Sequence, residues 1–129
     1  MSTTPEFTSR LASSSPTAAT IIYSSSAKFP LGQIVATPGA LELLGRTGFS
    51  AVALVSRHVH GDWGDLCNDD RAENDFAVTR RLRILSCYRL VDAERLAVMP
   101  TDKRMSLPTL WIITEADRSF TTLLRPDEY

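Results

Sequence analysis

The apolar residues change their period once along this chain, near Leu82, and that change limits the folds open to it. Upstream, Ala51, Leu54, Val55 and His58 fall at i, i+3, i+4 and i+7, the spacing of one helix face. Downstream, Leu82, Ile84, Ser86, Tyr88 and Leu90 alternate with Arg83, Leu85, Cys87 and Arg89, the spacing of a strand. Thr37-Pro38 opens a helix over Pro38 to Leu44 that Gly45 or Gly48 ends, and Ser50 caps a second that stops at Gly61. Asn68, Asp69 and Asp70 offer competing caps, with Asp70 and Glu73 in capping-box spacing, for a third helix running to about Arg81. Leu110 to Thr114 and Phe120 to Leu124 read as two further strands joined by the polar link 115–119, and 91–108 as an irregular loop. Gln33 to Ala36 is a short extended piece. With helices first and no helical crossover between the later strands, the pattern predicts an α+β fold. Helices occupy about 38–81, and a small antiparallel sheet follows over about 82–125.

Residues 1–27 hold eight Ser and five Thr and no sustained apolar period. They read as a flexible tail ahead of a single domain over 28–129, because such a segment cannot bury enough surface to offset its ordering entropy. No stretch resembles a secretory signal or approaches 18 apolar residues, which predicts a cytoplasmic protein with no membrane partner. Lys and Arg total 14 against 15 Asp and Glu, so the whole-chain field gives no case for nucleic acid, which stays open only as a local matter. Cys67 and Cys87 lack C-x-x-C spacing, which argues against a disulfide framework or a zinc knuckle.

The densest chemistry lies in His58-Val-His60-Gly-Asp62-Trp63-Gly-Asp65. Glycines on both sides of Asp62-Trp63 allow a tight turn that draws polar groups together. His58-x-His60-x-Asp62 resembles the first part of the metal-binding motif of metallo-β-lactamase-fold hydrolases. Trp63 replaces its final His, and with two His in the chain the later ligands are missing, so no metal and no cofactor is expected. Helical phase puts His58 on the buried stripe and His60 on another face. Six acids between Asp62 and Asp75 precede Arg80, Arg81, Arg83 and Arg89, the arrangement that a helix macrodipole favours. The turn at 58–65 is expected to pack on the 115–119 hairpin, with Asp62 or Asp65 pairing with Arg118 or Arg89. Trp63 is expected to cap the core, its N–H on a backbone carbonyl.

His-x-x-Gly-Asp-Trp-Gly-Asp (58–65), Arg-Ile-Leu-Ser-x-Tyr-Arg-Leu (83–90) and Trp-Ile-Ile-Thr-Glu-Ala-Asp-Arg-Ser (111–119), with the Pro-Asp-Glu-Tyr end, resemble a known group. These are small uncharacterised proteins borne on bacterial plasmids and integrative elements, labelled plasmid-related protein and loosely type I restriction enzyme subunit M. The resemblance runs from about Phe29 to Tyr129 and implies a mobile-element setting. In that group the strand over 83–90 leads by a short turn to the one near 110, so 91–108 is an insertion, and His60 is outside the pattern. The methyltransferase label finds no glycine-rich cofactor loop here and no Asn/Asp-Pro-Pro-aromatic site.

Three functional readings follow. The first is a non-enzymatic accessory protein that binds a host or element protein, linked to restriction or another defence system, through Asp62, Trp63 and Asp65 and through Asp117 and Arg118 at the hairpin tip. The second is a metal-independent ribonuclease or toxin of barnase-like layout. There His58 is the acid or base, Glu115 its complement, and Arg89 or Arg118 the phosphorane stabiliser. The third is a helix-turn-helix DNA reader using residues 50–60, for which Arg57 alone is meagre phosphate neutralisation.

Overall fold

In the computed structural model, which describes residues 26–129, a short strand over Gln33–Ala36 (β1) runs directly into the Thr37-Pro38 helix start. The Thr37 hydroxyl accepts the Ala40 amide at 3.1 Å, which satisfies one of the donors that a helix start leaves orphaned. The helix Pro38–Thr47 (α1) ends on Gly48 at φ 79°, a left-handed stop that glycine adopts without strain. Ser50 caps the next helix, Ala51–Val59 (α2), in the same way, accepting from the Ala53 amide at 3.1 Å. The third helix, Asn68–Arg80 (α3), starts two residues before Asp70: Cys67 is its N-cap and offers no side-chain hydrogen bond. Asp69 and Asp70 fall within its first turn instead, where a negative charge suits the macrodipole. The Ser/Thr-rich leader read over 1–27 lies outside the described residues except for Ser26 and Ala27.

Strands Ile84–Arg89 (β2), Thr109–Thr114 (β3) and Phe120–Leu124 (β4) follow, then a 3-10 turn over Pro126–Glu128. Between β2 and β3 the segment read as an irregular loop holds two short helices, Ala93–Ala97 (α4) and Thr101–Arg104 (α5), the first capped by Asp92.

The sheet has the order β1-β4-β3-β2. Its β2–β3 and β3–β4 pairs are antiparallel, but β1 lies parallel to β4, with Ile34 opposite Thr121 and Ala36 opposite Leu123. The sheet is therefore mixed, and this corrects the antiparallel sheet expected from the sequence. The fold remains α+β, with one strand ahead of the helices. A parallel pair needs a long crossover, and here that crossover is the whole of α1, α2, α3 and the β2–β3 hairpin. Looking only between the last three strands misses it.

Strand alternation sends Ile84, Ser86 and Tyr88 to one sheet face with Leu110, Ile112, Thr114, Thr121 and Leu123. Their apolar members form one core with Ala40 and Leu44 of α1 and Leu54, Val55 and Val59 of α2. No helix of the described residues is long and apolar enough to cross a membrane.

Candidate functional site

His58 lies on the buried stripe of α2, as its helical phase requires, and is fully enclosed. Its Nδ1 is 2.6 Å from the Ser86 hydroxyl and its Nε2 2.9 Å from that of Thr114. Thr114 is in turn 2.7 Å from Thr121, whose single proton goes to the Leu31 carbonyl at 2.8 Å. That last bond sets the direction of the chain. Thr121 must accept from Thr114, Thr114 must accept from His58 Nε2–H, and His58 Nδ1 must accept from Ser86. For the neutral imidazole that burial favours, this is a single tautomer with its proton on Nε2. Burial lowers its pKa from 6.5 to about 3, and the nearby Arg118 charge acts in the same direction. A group so placed neither meets a substrate nor exchanges a proton near neutral pH.

The Gly61–Asp65 turn seals the free edge of β2. Cys87 donates its amide to the Trp63 carbonyl at 3.0 Å and accepts the Asp65 amide at 2.7 Å, so Gly64 pairs with Cys87 as a one-residue parallel bridge. Gly64 sits at φ 80°, and any side chain there would run into the Cys87 carbonyl. One step along the edge, the Asn74 side chain does the same for Leu85, donating to its carbonyl at 2.7 Å and accepting its amide at 3.2 Å. A primary amide carries the donor and acceptor of a peptide group, so Asn74 stands in for the missing neighbour strand.

Asp62 and Asp65 serve different arginines. Asp62 accepts from Arg57 Nε at 2.7 Å, and the Arg57 guanidinium lies 4.6 Å from the centre of the Tyr88 ring. Asp65 accepts from Arg89 Nε at 2.9 Å and from Arg104 Nη1 at 2.8 Å. Burial works to raise both carboxyl pKa values, but the hydrogen bonds and charges of these arginines outweigh it and hold both below the ordinary carboxylate range. Arg71 closes the turn from the α3 side, donating to the Gly64 carbonyl at 2.8 Å and the Leu66 carbonyl at 3.0 Å. Beside the turn lies a cleft of about 520 Å³ bordered by Arg57, Arg71, Arg89, Arg104 and the α4 residues Ala93 and Leu96.

Of the expected pairings, Asp65 with Arg89 forms. Arg118 goes elsewhere, from a backbone in the left-handed conformation at φ 61°. It is buried and donates to the carbonyls of Ala77 at 2.9 Å and Leu82 at 2.6 Å, capping the C-terminal end of α3 from outside the helix. Asp117 is exposed and its carboxylate accepts the Ser119 amide at 2.9 Å, a local turn contact. Glu115 pairs with Arg83 at 3.5 Å. Trp63 is buried, and its N–H meets the Asp75 carboxylate at 3.0 Å where a backbone carbonyl was expected. Trp63 and Arg118 therefore present no surface to a partner. His58 bonds to Ser86 and Thr114, Glu115 to Arg83, Arg89 to Asp65 and Arg118 to the Ala77 and Leu82 carbonyls.

His60 Nδ1 donates to the Ser56 carbonyl at 2.6 Å, one helix turn back. Among the described residues no group of three or more His, Cys, Asp or Glu side chains is arranged to hold a metal ion. Sequence reading missed Asn74 and Arg104. Asn74 gives no sequence signal, and Arg104 lies in the 91–108 segment, 39 residues from the Asp65 it meets. Compared with known proteins, the chain matches no family model, no curated protein and no solved structure.

Proposed function

We propose that this is a non-enzymatic accessory protein that acts by binding a protein partner, with the 91–108 insertion as the binding arm and the Asp62–Asp65 turn as its base. One observation carries the reading. Neither α4 nor α5 buries a single residue, and Val98 and Met105 stand 83% and 80% exposed, yet the arm is held to the domain through Arg104 and Asp65. A segment that spends its apolar side chains on solvent while being anchored by an ion pair is costly for stability and suited to an interface. In the mobile-element setting that the resemblance implies, the partner class is a host or element protein of restriction or another defence system. The nuclease reading draws no support from His58, which is enclosed and neutral. The DNA-reading alternative relied on Arg57, which is occupied by Asp62 and Tyr88.

The test places a photo-crosslinking residue at position 98 or 105 in cells that carry the natural element. The expected result is one protein crosslinked from both positions and lost from the Val98→Asp, Met105→Asp double variant, whose melting temperature stays that of the wild type. RNA cleavage by the pure protein that disappears in His58→Gln would overturn the reading.

A further inference from the structure

Among the described residues, the charged groups lining the cleft of about 520 Å³ beside the turn are four arginines and three aspartates. Their pairing is uneven. Arg57 matches Asp62, whereas Asp65 is shared between Arg89 and Arg104. Asp92 spends its carboxylate on the Arg95 amide at the start of α4. Arg71 forms no ion pair among the described residues: its Nε and Nη2 go to the Leu66 and Gly64 carbonyls, and its charge reaches Asp62 only through space. The excess charge of the cleft is positive.

The backbone carbonyls fix the Arg71 guanidinium without neutralising it. Arg57 is fixed as well, with Nε and Nη2 on the Asp62 carboxylate and its guanidinium 4.6 Å from the centre of the Tyr88 ring. Neither arginine has an acceptor for Nη1 among the described residues. The two are neighbours across the turn, since the carboxylate that takes Arg57 also accepts the Gly64 amide at 3.2 Å, and the Gly64 carbonyl takes Arg71. Phe49 of the domain and Leu96 and Ala97 of the arm give the same cleft an apolar wall. Fixed donors beside an apolar wall, in a cleft of this size, are the make-up of a small-molecule site, and guanidinium edges select oxyanions.

We propose that this cleft binds a small organic anion, a phosphate or carboxylate group carried on a short apolar body, with Arg57 and Arg71 on the anionic group and Phe49 and Leu96 against the apolar part. The site goes beyond the partner-binding reading, because Val98 and Met105 are not part of its lining. A cationic ligand would meet an excess of like charge there.

The test titrates the 15N-labelled full chain at constant ionic strength with phenyl phosphate, benzoate and, as the control of opposite charge, benzylammonium. The readout is the chemical shift of the Gly64 amide and of the Arg57 and Arg71 Nε–H groups. The expected result is saturable binding of at least one of the two anions, at least ten-fold tighter than any binding of benzylammonium, and the tighter anion tells a phosphate ligand from a carboxylate. Leu96→Asp places a negative charge on the apolar wall in a helix that buries no residue, so it should weaken binding at least ten-fold while the melting curve stays unchanged. Arg71→Gln should weaken binding as much, and if it also lowers the melting temperature, Leu96→Asp alone decides. Shifts that do not saturate, equal binding of benzylammonium, inorganic phosphate bound as tightly as phenyl phosphate, or undiminished binding by Leu96→Asp would each overturn the site.

Discussion

Asp65 and Arg104 meet at 2.8 Å across 39 residues of sequence, and through that pair the arm is tied to the turn that seals β2. Arg104 also folds the arm on itself, donating to the carbonyls of Leu96 at 3.1 Å and Met99 at 3.2 Å. Asp65 has a second duty, because it neutralises Arg89 of β2. One residue therefore belongs to the arm alone and the other to both arm and domain.

That difference predicts separable effects. Arg104→Ala should raise amide hydrogen exchange over residues 92–105 at least ten-fold and cost global stability less than about 1 kcal/mol, since α4 and α5 bury nothing. Asp65→Ala also strands the mostly buried Arg89 guanidinium and should cost on the order of 2 to 3 kcal/mol. Equal losses in chemical denaturation would show that the arm and the domain unfold as one unit.

His58 sets the acid side of the stability curve. In the unfolded chain its pKa is 6.5, and in the fold about 3. Below pH 6.5 the unfolded chain takes up a proton that the folded protein refuses. The stabilisation is therefore complete above 6.5 and is lost as pH falls toward 3, at up to about 1.4 kcal/mol per pH unit. The depressed carboxyl groups of Asp62 and Asp65 act in the same direction, but only near and below the ordinary Asp value of 3.8. Urea titrations between pH 7.5 and 5 thus avoid the range of those carboxyl groups, and the His58 ring resonances should show no titration above pH 4.5. A midpoint near 6.5 for His58 would mean that the imidazole is not enclosed.

The hydroxyl chain behind that histidine predicts a polarity among its members. Thr121→Val removes the donor to Leu31 and leaves the Thr114 proton without its acceptor, so it should cost about 1 to 3 kcal/mol despite the equal size of valine. His58→Ala should cost at least as much, because it orphans Ser86 and Thr114 and opens a cavity. His60→Ala should change stability by about 0.5 kcal/mol or less, since the ring is partly exposed and bonds to Ser56 one helix turn back. Thermal melts with and without EDTA complete the comparison. A chelator-sensitive wild type with both histidine variants equally damaged would replace the hydroxyl chain by a metal site.

Local rules made much of this fold legible. The caps at Thr37 and Ser50, the Gly48 stop and the burial of His58 follow from spacing and side-chain chemistry within one or two turns. The β1–β4 pairing was not legible, because parallel partners at opposite ends of the chain share no turn and four residues carry no alternation strong enough to fix a register. The site was legible in its location more than its chemistry. Gly-Asp-Trp-Gly announces a tight polar turn, but Asp65 meets Arg89 while Arg118 leaves from a left-handed backbone, an unfavourable conformation for arginine that sequence gives no reason to expect.

Arg118 carries that conformation and a buried charge together, and two substitutions separate them. Arg118→Ala keeps a Cβ at φ 61° and removes the guanidinium that holds the carbonyls of Ala77 and Leu82. Arg118→Gly removes the guanidinium as well but relieves the backbone, because glycine occupies the left-handed region freely. Both should destabilise, since the end of α3 loses its external cap, and loss of the buried hydrogen bonds costs on the order of 2 to 3 kcal/mol. Arg118→Gly should be the milder by about 1 kcal/mol. Equilibrium unfolding checks the order, and hydrogen exchange at Phe76 to Arg81 should rise in both. If Arg118→Gly matches wild type, the guanidinium contributes nothing and the hairpin is limited by backbone strain alone.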